Sequence, residues 1–174
     1  LEAGASSVDL LVRRDEIPRV NAHKPIDSVA WLKHFGDLDD ATKWRLMVHV
    51  MRNNQPPPQD TFDRAANMPG FRMREGAGIT AAHMAGDEVI IETAAGDTLH
   101  ADFVIAATGF ANDFSLRIET AGIADQIALW RDCYTPPDGE DWEPMGTYPY
   151  LGKSFEFTQK TPGDAPWMHH IHCF

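Results

Sequence analysis

A run of five apolar residues at positions 103–107, Phe-Val-Ile-Ala-Ala, constrains the fold of this chain more than any other feature. Asp102 precedes the run and Thr108-Gly109 ends it, so it has the length of a strand. A strand that is apolar at every position is typical of a central parallel strand with helices on both faces. The run therefore predicts an α/β fold. Because ligands bind at the carboxyl ends of parallel strands, it also predicts a site at Thr108-Gly109.

The first residues of the chain predict the middle of a βαβ unit. Residues 1–5 have the pattern of a last helical turn that Gly4 ends, and residues 8–12 form a short apolar strand. The sequence contains no G-x-G-x-x-G turn between a strand and a helix. We therefore expect an incomplete Rossmann-like parallel sheet, and a chain that is a fragment of a longer polypeptide or is completed by a second copy.

Two arginines follow the first strand directly. In a dinucleotide-binding fold, an acidic residue at the end of the equivalent strand binds the ribose of NAD, whereas an arginine accommodates the 2′-phosphate of NADP. A guanidinium suits this role because its planar fork pairs with phosphate oxygens and stays charged. Arg13 and Arg14 therefore predict an NADP site.

The remaining patterns predict a helical insertion and a β-meander. The insertion covers about residues 26–67, and its second helix begins near Asp39 and carries an apolar stripe. A strand at 71–74 and three strands between 78 and 101, joined by glycine-containing turns, follow. We divide the chain into a partial NADP-binding domain, residues 1–115, and an irregular connection rich in proline and aromatic residues, residues 116–174. The apolar stripe on the second helix of the insertion consists of Trp44, Met47, Val48 and Met51.

Composition excludes several classes of partner. The net charge is −11, and residues 76–174 carry four Lys/Arg against fifteen Asp/Glu, so nucleic acid is not expected as a ligand. No apolar run reaches the length of a membrane helix and no signal peptide is evident, so we expect a cytoplasmic protein. Cys133 and Cys173 form no C-x-x-C pair. We predict no metal site, because the potential ligands near the C-terminus lie within five residues instead of in pairs separated by a loop: His169, His170, His172 and Cys173.

The segment from Asp102 to Phe110 resembles the second-dinucleotide region of the flavin-containing monooxygenase superfamily. In that family an aspartate precedes an Ala-Thr-Gly and an aromatic residue, and these correspond here to Asp102, Ala107, Thr108, Gly109 and Phe110. The order of helix end, strand with Arg-Arg, insertion, meander and Ala-Thr-Gly strand is also similar over most of residues 1–115. The resemblance implies that Thr108, Gly109 and Phe110 contact a cofactor and help to position the nicotinamide near the flavin.

The resemblance implies an FAD- and NADPH-dependent oxidoreductase, a monooxygenase that acts on a small organic substrate. Residues 116–174 would then be a connection toward a missing FAD domain, and the FAD site would lie mostly outside this chain. The isolated fragment would be inactive, and the resemblance identifies no catalytic residue. Two alternatives stay open. One is a flavin-dependent reductase that does not oxygenate its substrate, and the other is a non-catalytic interaction module or truncated relic that binds a partner through its incomplete sheet.

Overall fold

The computed structural model describes residues 1–173, so Phe174, the last residue of the predicted connection, lies outside the described residues. The chain has a mixed α/β fold with a two-stranded parallel sheet and a three-stranded antiparallel sheet. In chain order, the strands are β1 (Val8–Leu11), β2 (Phe71–Arg74), β3 (Ile79–Ala85), β4 (Glu88–Thr93) and β5 (Thr98–Ala101). The helices are α1 (Val29–His34), α2 (Asp40–Asn53), α3 (Gln59–Ala66), α4 (Trp130–Cys133) and α5 (Glu143–Gly146).

Two compact units divide the chain. Unit 1 consists of Leu1–Asn21 and Gln55–Thr108, and unit 2 consists of Ala22–Asn54 together with residues 109–173. This division differs from the predicted boundary at residue 115, because the first half of the predicted insertion packs with the C-terminal part of the chain. The assignment of a nucleotide-binding role to the first part stays a prediction.

The parallel sheet of unit 1 pairs β1 with β2, from Val8 opposite Phe71 to Leu11 opposite Arg74. Side chains alternate across a strand, so one face carries the apolar Leu10 and Met73, and the other carries charged groups. Helix α3 and the prolines before it lie against the apolar face and leave a groove of about 670 Å³. The lining residues of the groove are Leu10, Ile17, Gln55, Pro56, Pro57, Pro58, Thr61, Phe62, Ala65, Phe71 and Met73.

The predicted β-meander is confirmed. Strands β3, β4 and β5 pair antiparallel in sequence order. Gly86 and Gly96 make the two turns with φ of +66° and +86°, a backbone conformation that glycine adopts without steric cost. Thr93 stabilises the second turn because its side chain accepts a hydrogen bond from the backbone of Asp97 at 3.2 Å.

The predicted central strand at residues 103–107 is wrong. These residues belong to no strand, and the side chains of Phe103 and Ile105 are each 89% exposed. A parallel strand is stable only where neighbouring strands pair with it and helices cover its faces. The described residues of unit 1 contain β1 and β2 as the only parallel pair, so the apolar run has no sheet to join. Residues 1–5 likewise form a turn and no helix, with Gly4 at φ +98°.

Helix α2 organises unit 2 and begins where its sequence predicts. The side chain of Asp39 caps it by accepting a hydrogen bond from the backbone of Thr42 at 2.8 Å. Trp44 and Val48 of the predicted stripe are buried, and the indole of Trp44 donates to the carbonyl of Glu140 at 2.8 Å. The stripe is therefore a packing surface, and aromatic residues from the second half of the chain cover it. These residues are Trp130, Tyr134, Trp142, Tyr148 and Tyr150.

A second core lies within the C-terminal part of unit 2. Phe114 and Phe157 meet edge to face, with ring centroids 5.5 Å apart, and Ile127 and Met168 are 1% exposed. Isolated β-bridges, such as Leu151 with Phe157, connect the loops around this core. Apolar packing and bridges thus order a segment whose described residues contain only short helices.

Candidate functional site

The carboxyl ends of β1 and β2 lie side by side, and two loops continue from them. The backbone of Val12 donates to Arg74 at 2.9 Å, and that of Ala77 donates back to Val12 at 2.9 Å. The backbone of Gly76 donates to the carbonyl of Arg14 at 2.7 Å. The loop after β2 therefore braces the loop that carries the arginine pair, at the edge of a parallel sheet where ligands bind.

The arginine pair lies on the surface of this edge. Arg13 and Arg14 are both exposed, and their neighbours Asp15 and Glu16 are exposed as well. The side chain of Arg13 extends across Gly78, at which an added Cβ would lie 3.3 Å from the Cγ of Arg13. The structure thus confirms the predicted position of the arginines at the end of a strand, and their role in binding stays a prediction.

A charge cluster supports the sheet below this edge. Asp9 accepts hydrogen bonds from Arg72 at 2.7 Å and from Arg74 at 2.8 Å. Arg74 also approaches Asp97 of the meander at 3.5 Å. These two arginines are therefore engaged in holding β1, β2 and the meander together.

The hydrogen bond from Arg72 is the main reason that the pKa of Asp9 falls to about 2. Partial burial of the carboxyl opposes this shift, and the bond from Arg74 adds to it. Asp9 is therefore ionised at neutral pH, and its charge balances part of the positive charge on β2.

The Asp102–Phe110 segment has no regular secondary structure, and its residues are exposed. Asp102 follows β5 directly, and Thr108 is the last residue of unit 1. Gly109 and Phe110 belong to unit 2, where Gly109 has φ of +88° and Phe110 is fully exposed. The parallel sheet that the sequence predicted to contain both this segment and the strand before Arg13 is not present among the described residues.

Sequence reasoning missed the contribution of residues 75–78. The side chain of Glu75 accepts a hydrogen bond from the backbone of Ile17 at 2.9 Å, and Gly76 and Gly78 contact the arginine loop. The available signal was the Gly-Ala-Gly sequence at residues 76–78, which begins two residues after the end of β2. The role of these glycines could be recognised only once the parallel pairing of β1 with β2 was known, and the sequence did not predict that pairing.

Two titratable groups of unit 2, Cys133 and Tyr150, have raised pKa values. Burial raises the pKa of the Cys133 thiol, and the nearby Asp132 and Asp40 raise it further, so the thiol stays protonated at neutral pH. Burial also raises the pKa of Tyr150 to about 12, with a contribution from its hydrogen bond to Asp40 at 2.8 Å. Among residues 1–173, no group of three His, Cys, Asp or Glu side chains is arranged to hold a metal ion.

Comparison with curated proteins gives one informative relative. Over all 174 residues the chain is 34% identical to the FAD-dependent urate hydroxylase of Xanthomonas campestris pv. campestris. The predicted resemblance to FAD-dependent oxidoreductases of the monooxygenase type is confirmed. The chain spans 37% of the length of that hydroxylase.

No protein-family model matches the sequence. The reduced form of ornithine hydroxylase from Pseudomonas aeruginosa aligns with 88% of this chain and 37% of its own, with a TM-score of 0.49 and 14% identity. Within residues 1–173, no helix has the length and apolar character needed to cross a membrane.

Proposed function

We propose that this chain is the NADP-binding, Rossmann-like portion of an FAD- and NADPH-dependent flavin monooxygenase that acts on a small organic substrate in the cytoplasm. The observation that supports this most is its 34% identity, over its whole length, to an FAD-dependent hydroxylase. Because the chain spans 37% of that relative, the activity of the complete polypeptide is part of the proposal, as is an FAD site that lies mostly outside these residues.

Arg13 and Arg14 are the residues proposed to hold the 2′-phosphate of NADP. They fit this role because both are exposed, both follow a parallel strand, and hydrogen bonds fix the backbone on either side of them. A guanidinium forms strong, paired hydrogen bonds with phosphate oxygens. Asp15 and Glu16 beside them would disfavour further negative charge, so we expect the pair to bind one phosphate group.

The Asp102–Phe110 segment is proposed to contact the cofactor as well. The left-handed backbone of Gly109 suits a glycine, and a Cβ there would meet no atom within 4 Å. Its conformation, and not internal packing, therefore favours glycine, which leaves the backbone open to a ligand. Asp102, Thr108 and Phe110 are exposed beside it, and their contact with nicotinamide or flavin remains a proposal.

The chemistry that FAD supplies when bound is acceptance of a hydride from NADPH and reaction with oxygen. The contribution of this chain would be to bind and orient the nucleotide. No described side chain is assigned a proton-transfer or nucleophilic step, and the protonated thiol of Cys133 is not a candidate. We therefore propose that the isolated chain has no turnover, and NADPH oxidation by it in the presence of FAD would contradict this.

Nucleotide titration by calorimetry tests the binding proposal. We expect the chain to bind NADP more tightly than NAD, and Arg13→Ala or Arg14→Ala to weaken NADP binding by roughly ten- to a hundredfold, because each variant removes charged hydrogen bonds. Arg64→Ala removes an exposed arginine from α3 of the same unit and serves as the control. Equal affinities for NADP and NAD would refute the proposed NADP role.

A reductase that does not oxygenate its substrate shares the predicted fold and cofactors. The complete polypeptide distinguishes it from a monooxygenase, because only a monooxygenase couples oxygen uptake to formation of a hydroxylated product. The reductase would be favoured if NADPH oxidation requires an added electron acceptor and if no oxygen is incorporated into a product.

The exposed apolar run favours a third possibility, a non-catalytic interaction module. Phe103, Ile105 and Phe110 are each at least 89% exposed, and such residues are common where one chain associates with another. A stable dimer in size-exclusion chromatography, combined with no affinity for either nucleotide, would favour the module over the enzyme portion.

A further inference from the structure

We infer that Gly78 is a positioning residue for Arg13, and that it thereby contributes to a preference for NADP over NAD. The inference rests on the proposed function, because it concerns the same arginine. It assigns a role to one of the two glycines that follow β2, which sequence analysis related to no nucleotide motif.

Gly78 and Arg13 lie so close together that a residue with a Cβ at position 78 would require one of them to move. A Cβ at position 78 would lie 3.3 Å from the Cγ of Arg13 and 3.8 Å from both its Cα and its Cβ. Ordinary van der Waals contacts between carbon atoms begin at about 3.5 Å. The aliphatic part of Arg13 therefore runs directly over the α-carbon of Gly78.

The backbone on both sides of this contact is held in place. The carbonyl of Gly78 accepts a hydrogen bond from Ala94 at 2.7 Å, and the preceding residue, Ala77, donates to Val12 at 2.9 Å. The neighbours of Arg13 are fixed too, since Val12 donates to Arg74 at 2.9 Å and Arg14 accepts from Gly76 at 2.7 Å. A methyl group at position 78 would therefore displace the side chain of Arg13 more readily than either backbone.

Gly78 is not among the glycines with positive φ, whereas Gly76, two residues earlier, has φ of +67°. Alanine at position 78 therefore introduces no backbone strain, and its effect is confined to the space that the stem of Arg13 occupies. This distinguishes position 78 from an ordinary turn glycine, whose replacement destabilises the fold through its backbone conformation.

Displacement of the Arg13 side chain would change the affinity for NADP and the affinity for NAD differently. Paired hydrogen bonds between a guanidinium and a phosphate depend on the orientation of the planar fork. NADP carries the 2′-phosphate and NAD does not, so loss of alignment would weaken NADP binding and leave NAD binding unchanged. Gly78 would thus contribute to discrimination without contacting the nucleotide.

The test compares Gly78→Ala with Gly122→Ala, a glycine that also lacks a positive φ and at which a Cβ would meet no atom within 4 Å. Calorimetry of the 174-residue chain measures the Kd for NADP and for NAD, and thermal unfolding gives Tm. We expect Gly78→Ala to raise the Kd for NADP roughly three- to tenfold, which is within the range of a single perturbed contact. The Kd for NAD and the Tm stay at their parent values, and Gly122→Ala changes none of these quantities.

A double variant shows whether the effect passes through Arg13. In an Arg13→Ala background, Gly78→Ala has no further effect on NADP binding if Gly78 acts by positioning Arg13, and an additive effect overturns the inference. If Gly78→Ala alone does not fold, the same double variant restores folding, because removal of Cγ relieves the contact. A double variant that also fails to fold overturns the inference.

The outcomes separate the inference from the proposed function. An unchanged ratio of NADP to NAD affinity in Gly78→Ala, with the ratio abolished in Arg13→Ala, overturns the inference and leaves the proposed function standing. A parent chain that does not prefer NADP overturns both.

Discussion

The two compact units of this protein differ in what holds them together. In unit 2, two clusters of buried side chains surround α2 and the C-terminal loops, and large residues such as Trp44, Ile127 and Met168 are at most 3% exposed. Among the described residues of unit 1, the buried side chains are those of Ala77, Ile91 and Thr93. Backbone pairing and the Asp9 charge cluster therefore take a larger share of its stabilisation.

The difference indicates that unit 2 stabilises the fold and that unit 1 carries the accessible residues proposed to bind a ligand. Burial of large apolar side chains is the main source of folding free energy, so unit 2 should supply most of the stability. Unit 1 leaves its arginine loop and residues 102–108 accessible, as binding residues must be. Substitutions in both units test this contrast, beginning with the one that should cost the most stability.

Replacement of Trp44 should have the largest effect on stability. Trp44→Ala removes a buried indole and its hydrogen bond to Glu140, so we expect a loss of about 3–5 kcal/mol in the free energy of unfolding, measured with urea. Trp167→Ala is the control, because Trp167 is 43% exposed. We expect it to cost about 1 kcal/mol or less. Similar costs for the two variants would contradict the assignment of Trp44 to the core around α2.

Acid should weaken unit 1 through Asp9. The pKa of this carboxyl is about 2 in the folded protein and about 3.9 in an unfolded chain, so its stabilisation is complete above about pH 5 and is lost as the pH falls toward 2. Because Arg72 is half exposed, solvent screening reduces the contribution to about 1 kcal/mol.

Thermal unfolding between pH 2 and pH 7 measures the contribution of Asp9. We expect Asp9→Asn to lower Tm at pH 7 and to remove part of the decrease on acidification, whereas Asp138→Asn, at an exposed position, leaves both unchanged. An Asp9→Asn variant with the parent pH profile would show that the cluster does not stabilise the parallel sheet.

Removal of the Tyr150 hydroxyl should have a similar or smaller effect in unit 2. Tyr150→Phe abolishes the hydrogen bond to Asp40, and we expect a loss of about 1 kcal/mol in urea unfolding. The pKa of Tyr150 is raised to about 12, so its contribution is present below pH 10 and is lost as the pH rises toward 12. Ultraviolet titration of tyrosinate should show one late-titrating group that Tyr150→Phe eliminates and Tyr148→Phe retains.

The smallest effect is expected in the exposed apolar run. Ile105 is 89% exposed, so Ile105→Thr should change the free energy of unfolding by less than about 0.5 kcal/mol. The same substitution at Ile127, which is 1% exposed, should cost about 2 kcal/mol or more. A large cost at Ile105 would show that residues 103–107 are packed in solution, which would favour the strand that the sequence predicted.

Local signals predicted much of the secondary structure. The capping residue Asp39 set the start of α2, and the glycines at positions 86 and 96 set the turns of the meander, because each acts within a few residues of its own position. The apolar stripe of α2 predicted a packing face in the same way.

Signals that depend on distant neighbours were less informative. Continuous hydrophobicity at residues 103–107 predicted a central strand, yet such a strand needs pairing partners and covering helices that the described residues do not provide. The pairing of β1 with β2, and with it the bracing of Arg13 by Gly78, joins segments more than sixty residues apart. Sequence patterns placed the arginines at a strand end but could not identify the loop that supports them.

The arrangement of unit 2 has a consequence for how the protein acquires its structure on the ribosome. The indole of Trp44 and the hydroxyl of Tyr150 find their partners 96 and 110 residues away along the chain. Contacts of such high sequence separation are slow to form, because a long loop must close before they contribute. Helix α2 will therefore leave the exit tunnel well before the aromatic residues that cover it, and its apolar stripe will be a natural target for chaperones during synthesis.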